Sequence, residues 1–466
     1  MSIKIPLNNN SNFKLADEFI VITILLSPNL ISLILQLWMN LERPLIYYDY
    51  FFLLPLICFS VNIYLIWFLF IVIIFSDITY SLSKLFLFNY NEFLSTFKFF
   101  ENYNLSNNQV LLLICCLAVI FFMLYVLKKL KPKLKKDKRI IKFFLIAISI
   151  IYVLDFANGS TKINTKLTQT FYDGNIASLT SKPLLDFIIN VNVTVKEPQL
   201  NKKQSVTFEV FKNDSSGNQL LILIESFGLL KNVNDKKNIE KIISENFKRN
   251  HWKIKWGITS FEGSTTRAEL RELLNSSGDY KYYIHKKSIN SIFDIKKKQG
   301  YNTIAAHSYN GSMFERNLWW KNLGINQMFF GETLQEKYAY KLSLNSESPF
   351  ISIQDEFTFD FLQNESKKYS KCFSYLLTVN SHLPFNDNNF IGTNYKLPFG
   401  NNSGNLTEAN AQMQRIISFL GYVAQELDST RFQKVLIVGD HMPPFNAKNL
   451  RLLYENKYVP YCYVYK

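Results

Sequence analysis

Residues 435–445 read VLIVGDHMPPF. The four apolar residues 435–438 form a run typical of a strand buried on both faces, which is the signature of a parallel sheet. Gly439 ends the run, Asp440 and His441 stand together just past it, and Pro443 and Pro444 forbid an immediate helix. In open α/β sheets ligands bind outside this end of the strands. A carboxylate beside an imidazole there reads as half of a metal site. Taken alone, the pair reads equally as a strand-end turn with two solvated side chains.

Working outward, other stretches end in the same way. LLILI at 220–224 is a second buried-strand run, followed directly by Glu225. A carboxylate at that point is costly to bury unless it is paired or metal-bound, although a helix N-terminal Glu favoured by the dipole would also sit there. Residues 302–306 form a strand candidate followed by His307, 350–353 one followed closely by Asp355, and 372–379 one followed by Asn380, Ser381 and His382. Helical apolar spacing marks 238–248 and 407–427, and the final YVPYCYVYK reads as a last strand. Three of the chain's five histidines therefore follow predicted strands, as do Glu225 and Asp440.

A hydroxyl completes this pattern. In FEGSTTRAELRELL, residues 261–274, Gly263 supplies a turn, and Thr266 with Glu269 has capping-box spacing, which predicts a helix start. Thr265 then stands at an anion-attracting helix N-terminus. Beside a divalent metal its hydroxyl would be activated as a nucleophile; alone, the stretch reads as plain capping by Ser264 or Thr266. Further on, Arg316 with Phe314, Trp319 and Trp320 reads either as a wall facing a phosphate and lipid headgroup or as helix core. Convergence of these groups on one sheet edge predicts a metal-assisted transfer site.

The chain has 466 residues, 48% of them hydrophobic and 16% aromatic, and its formal charge is +15. The apolar residues concentrate in the first third. Runs at 19–39, 110–127 and 140–156 are of membrane-spanning length, and 45–75 reads as one long span or two short ones split near Pro55, Ser60 and Asn62. Between the last two runs lies KKLKPKLKKDKR, 128–139, in which eight of twelve residues are Lys or Arg. The positive-inside rule makes it cytoplasmic and puts everything after residue 157 outside the cytoplasm. The same placement argues against a nucleic-acid partner, because no aromatic residues interleave with the basic run. The predicted domains are thus 1–157, four or five transmembrane helices; 158–218, a linker with a short helix at 181–189; and 219–466, an extracytoplasmic domain. Cys58, Cys115 and Cys116 lie in hydrophobic runs, while the pairing of Cys372 and Cys462 stays open.

In order, LLILIESFG, GSTTRAELR, the Arg316 segment, TVNSHLPF and VGDHMPPF resemble the lipoteichoic acid synthase and phosphoglycerol transferase group of the alkaline phosphatase (sulfatase-like) superfamily. The resemblance covers most of the chain from Leu220 onward. It implies an α/β fold in which N-terminal transmembrane helices precede an alkaline-phosphatase-like domain with a mostly parallel central sheet flanked by helices. It also implies an enzyme that takes phosphoglycerol from phosphatidylglycerol, holds it on a threonine and passes it to a glycan or polymer. By that resemblance Glu225, Thr265, Asp440 and His441 hold one divalent metal, manganese with magnesium or zinc as alternatives. Thr265 is the nucleophile, and Arg316, His382, His307 and Phe314 face the substrate. Phe314 stands where the family often has Trp, which leaves phosphatidylethanolamine open as donor. The C/S-x-P-x-R motif of sulfatases is missing from 263–271, so sulfate ester hydrolysis is not expected. The implied location is multi-pass in a bacterial cytoplasmic membrane, with the catalytic domain facing the periplasm or cell exterior. Alternatives are a phosphoethanolamine transferase or phosphodiesterase on the same scaffold, or a non-catalytic membrane assembly protein. The acceptor is open among capsular polysaccharide, teichoic-type polymer and periplasmic glucan.

Overall fold

Strand β1, Gln219–Ile224, buries all six of its residues, as a strand with neighbours on both sides and layers on both faces must. It lies at the middle of a seven-stranded sheet formed with β2 (Lys253–Ser260), β3 (Asn302–His307), β4 (Gln327–Phe330), β5 (Cys372–Leu377), β6 (Lys434–Gly439) and β7 (Tyr458–Tyr465). The order is β2-β7-β6-β1-β5-β3-β4. The run from β6 to β4 is parallel throughout. β7 enters antiparallel between β6 and β2. The computed structural model describes residues 46–58, 61–85, 107–134, 180–181, 197–201, 203–288, 290–338, 352–383, 407–445 and 448–466, with single positions between 20 and 29 and between 146 and 150.

Among these residues the chain divides into two compact units, the second being Thr194–Lys466 with two short upstream pieces. In the first unit, α1 (Ile63–Leu85) and α2 (Asn107–Leu134) are apolar. They expose residues such as Tyr64, Phe68, Phe121 and Phe122, the reverse of a core helix in water. Among the described residues one segment, Ile63–Tyr80, is long and apolar enough to cross a membrane. The run 45–75 matches neither of its predicted readings. Ile46–Tyr47 pairs with Thr180–Ser181, Leu53–Cys58 is a short helix, and α1 begins only at Ile63. Asn62 sets that start, since its Oδ1 accepts from Tyr64 N at 2.9 Å. α1 continues to Leu85 with Asp77 turned inward, where Tyr50 donates to it at 3.1 Å. The run at 110–127 lies within α2, which also takes in Lys128, Lys129 and Lys131 of the basic stretch. The predicted spans at 19–39 and 140–156, apart from single positions, and most of the predicted helix at 181–189 lie outside the described residues.

In the second unit the two faces of the sheet are covered differently. Alternate residues Leu221, Leu223, Tyr375, Leu377, Leu436 and Val438 share one core with Phe208, Leu270, Trp319 and Trp320, as the period of two in a strand requires. Helices α3 (Val206–Phe211), α5 (Thr265–Leu274), α6 (Ile292–Lys298) and α7 (Arg316–Asn322) supply that layer. The opposite layer contains α4 (Val233–Arg249), α9 (Asp355–Ser366) and α10 (Thr407–Glu426), which pack on one another, and α8 (Gly331–Tyr338) follows β4.

Two local readings change, and one left open is answered. The helix predicted at 238–248 starts earlier, at Val233, because Asn232 caps it by accepting from Asn234 N and Asp235 N. Residues 352–354 form no strand; α9 begins at Asp355, whose carboxylate accepts from Ser308 Oγ at 2.6 Å and Asn380 N at 2.8 Å. That carboxylate ties the ends of β3 and β5 together. Cys372 and Cys462 are unpaired and buried on β5 and β7, strands separated in the sheet by β1 and β6.

Candidate functional site

The parallel register brings the C-terminal ends of β1 and β6 side by side, with Ile224 opposite Gly439. Glu225 and Asp440 follow them and are both buried, as is His441. The strands approach closely here: a Cβ on Gly439 would lie 2.0 Å from the Phe227 carbonyl oxygen, so only glycine fits. One ligand atom each from Glu225, Asp440 and His441 falls within 4.8 Å of the others.

Thr265 reaches this cluster from the first position of α5. Its hydroxyl donates to Glu225 Oε2 at 3.1 Å and lies 3.2 Å from His441 Nε2. Thr265 is partly exposed while the three groups behind it are buried, so its hydroxyl stands between them and solvent. Arg271 fixes the helix over the strand ends. Its guanidinium donates to the Ser260 carbonyl at 2.6 Å and to the Gly439 carbonyl at 3.0 Å, joining the ends of β2 and β6. Sequence reasoning did not single out Arg271.

The donor set fits a divalent cation. His441 Nδ1 lies 2.8 Å from the Met442 carbonyl, which places a proton on Nδ1 and leaves Nε2 as the nitrogen that faces the carboxylates and would ligate a cation once its own proton is displaced. Asp440 Oδ2 is buried 3.3 Å from that nitrogen and has no well-formed hydrogen bond among the described residues. Glu225 Oε1 is also 3.3 Å from it. Burial and the neighbouring Glu225 push the Asp440 carboxyl up to about 8. Burial pulls the His441 imidazole down, but the Asp440 and Glu225 carboxylates outweigh it and hold it at about 9. Two buried carboxylates at this separation attract positive charge strongly, and a cation would relieve their repulsion.

The remaining predicted residues fall into two groups. His382 follows β5, where the charges of Glu225 and His441 both act on it; burial draws its pKa below the ordinary histidine value. His307 is buried at the end of β3 with Nδ1 3.0 Å from the Leu377 carbonyl and Nε2 without a partner among the described residues. Burial and the Arg316 charge bring it down to about 3.

Arg316 and Phe314 make no hydrogen bond to the cluster among the described residues. Arg316 is buried and donates through Nε to Glu269 Oε2 at 3.0 Å, while its guanidinium stacks 5.2 Å from the centroid of Phe314. Trp319 and Trp320 are fully buried core residues, and Trp320 Nε1 donates to Glu269 Oε1 at 2.9 Å. The predicted capping box is therefore not formed. Ser264 is the N-cap residue of α5 without a side-chain cap bond, and Glu269 reaches across to α7. Phe314 and Glu315 both adopt left-handed backbone, φ 54°, immediately before Arg316. Such geometry persists only where its surroundings enforce it.

Residues 265–460 match the family model described as Sulfatase. That stretch contains Thr265, Asp440 and His441, and Glu225 precedes it. Among curated proteins none matches the chain in sequence. Similar solved structures include the lipoteichoic acid synthase LtaP from Listeria monocytogenes, 16% identical with a TM-score of 0.42 over 59% of this chain and 69% of that one. The Streptococcus pyogenes phosphoglycerol transferase GacH in complex with sn-glycerol-1-phosphate is 17% identical, with a TM-score of 0.35 over 55% of this chain and 72% of that one. The integral membrane lipooligosaccharide phosphoethanolamine transferase A (EptA) from Neisseria meningitidis is 10% identical, with a TM-score of 0.46 over 96% of this chain and 88% of that one.

Proposed function

We propose, for a chain that carries a sulfatase-like domain of the alkaline phosphatase superfamily at residues 265–460, that it is a membrane-anchored, metal-dependent transferase of phosphoglycerol. Its donor is phosphatidylglycerol and its acceptor a hydroxyl of a cell-surface glycan or polymer. The observation that carries this reading is the contact of Thr265 Oγ1 with both Glu225 and His441 at a buried acidic cluster.

In this reading Thr265 Oγ1 attacks the phosphorus of the donor in line. The new Oγ1–P bond forms as the P–O bond to diacylglycerol breaks; the threonine loses its proton and the diacylglycerol oxygen gains one. The acceptor hydroxyl then displaces Thr265, losing its own proton as the threonine regains one. This is ping-pong chemistry through a phosphothreonine. The N–H groups at the start of α5 favour the phosphoryl charge. By the family resemblance Arg316 and His382 bind the phosphoryl group or its glycerol, with His307 and Phe314 beside them; for Arg316 this requires the guanidinium to give up part of its pairing with Glu269. Glu225, Asp440, His441 and Thr265 would hold a divalent metal, which when bound would lower the threonine hydroxyl pKa and offset phosphoryl charge. Manganese suits this oxygen-rich set with one imidazole. The basic stretch at 128–139, read by the positive-inside rule, supports a second unit that lies outside the cytoplasm.

The test is intact-mass analysis with peptide mapping. The full chain is incubated with manganese and vesicles containing phosphatidylglycerol and phosphatidylethanolamine, beside Thr265→Ala. A glycerophosphoryl adduct on Thr265, absent from the variant, is the expected result. A phosphoethanolamine adduct would replace the donor and keep the mechanism. No adduct together with no diacylglycerol release would overturn the transferase reading.

A further inference from the structure

The turn that follows β1 contains a feature that the transfer reaction does not itself require. Ser226 is fully buried and adopts left-handed backbone, with φ 57°. A glycine would take this conformation without strain, whereas any side chain makes it costly. The serine hydroxyl has a use here: Oγ donates to Glu225 Oε1 at 2.9 Å. The left-handed turn also aims the Ser226 backbone N–H at Asp440 Oδ1, 2.7 Å away.

One residue therefore holds one oxygen of each carboxylate. Both carboxylates still face the centre of the cluster: Glu225 Oε2 meets the Thr265 hydroxyl, and Glu225 Oε1 and Asp440 Oδ2 each lie 3.3 Å from His441 Nε2. The turn is fixed from behind as well. Gln412 Nε2, from α10, donates to the Ser226 carbonyl at 2.8 Å. Thr378 Oγ1 accepts from Glu225 N at 2.9 Å, and Ser381 Oγ donates to the Glu225 carbonyl. Groups that orient ligands in this manner set metal affinity nearly as strongly as the ligands do.

We infer that Ser226 is a positioning residue that locks Glu225 and Asp440 into one cation-binding arrangement, its hydroxyl orienting the first and its left-handed backbone the second. The inference rests on the metal-site reading given above.

The test is manganese affinity of the full chain in detergent, measured as the loss of the free-ion spin-resonance signal on titration, with metal-free melting temperature recorded in parallel. Ser226→Gly removes the hydroxyl and relieves the strain; Ser226→Ala removes the hydroxyl and keeps the side-chain restriction on the backbone. Both are expected to weaken manganese binding by about 10- to 100-fold, with the metal-free melting temperature unchanged, or raised for the glycine. Wild-type affinity in Ser226→Gly would overturn the inference while leaving the metal site standing. A lowered metal-free melting temperature with unchanged affinity of the folded protein would also overturn it, since that is a purely structural role. Failure of the folded wild type to bind manganese or zinc would instead sink the metal-site reading, and the inference with it.

Discussion

Glu269 and Arg316 form a buried ion pair in which a single carboxylate oxygen, Oε2, receives both Nε and Nη2 of the guanidinium at 3.0 Å. The second oxygen accepts from Trp320 Nε1 at 2.9 Å and Tyr375 OH at 3.3 Å. Removing one partner of such a pair leaves an uncompensated buried charge. Glu269→Ala is therefore expected to destabilise the second unit by about 3–5 kcal/mol, seen as a lowered unfolding midpoint. Because Arg316 offers a two-pronged donor, Arg316→Lys should restore little of the wild-type midpoint.

His307 gives the fold a dependence on pH. Burial and Arg316 lower its pKa from 6.5 to about 3, so the folded protein keeps it neutral where the unfolded chain protonates. Stability from this group is complete above pH 6.5 and is lost as pH falls toward 3. Between pH 6.5 and 5 the loss is about 2 kcal/mol. Denaturation of wild type and His307→Gln at both pH values tests this: the wild type should lose that amount relative to the variant. Parallel pH profiles would refute it.

Gly439 lies against the Phe227 carbonyl, with no room for a methyl group. The obstacle is backbone on both sides, so a side-chain rotation cannot relieve it. Gly439→Ala should cost about 1–3 kcal/mol, the range for overpacking, and should displace Asp440. Its metal affinity is expected to fall together with its melting temperature, unlike that of the Ser226 variants.

Removing the metal should lower stability as well as activity. A ligand present at 1,000 times its dissociation constant stabilises the folded state by about 4 kcal/mol. A chelator should accordingly lower the melting temperature of the second unit, and manganese should restore it. Asp440→Asn should shrink this metal-dependent shift. A melting curve that ignores both chelator and metal would count against the site.

The legible part of the fold was the part buried on both faces. β1 and β6 contain the unbroken apolar runs 220–224 and 435–438, and their ends pointed to Glu225, Asp440 and His441 because a carboxylate after such a run needs a partner. The edge strand β2 was not foreseen. Its sequence KIKWGITS has two lysines, and all but one of its residues are exposed or half-buried, so no apolar run marks it. The 263–271 stretch was legible as a helix start but misleading about Glu269. The spacing that lets a Glu reach back to a cap is the same one that lets it reach across to Arg316, and only the packing of α7 decides between them. The backbone of Ser226, Phe314 and Glu315 left no trace in residue type, since none is glycine or asparagine.

Among the described residues, β2 touches the sheet only through β7, and the chain between them is ~200 residues long, a slow closure by the usual relation of contact separation to rate. Residues 253–260 must therefore wait, unpaired, while the rest of the sheet assembles. β6 and β7 are joined by residues 440–457 alone, so that pair closes locally and early. Asp440 and His441 meet Glu225 only when β6 pairs with β1 across ~200 residues. The cluster would thus be among the later parts of the unit to mature, and a chain caught before that pairing would lack the site and would expose sticky strand edges.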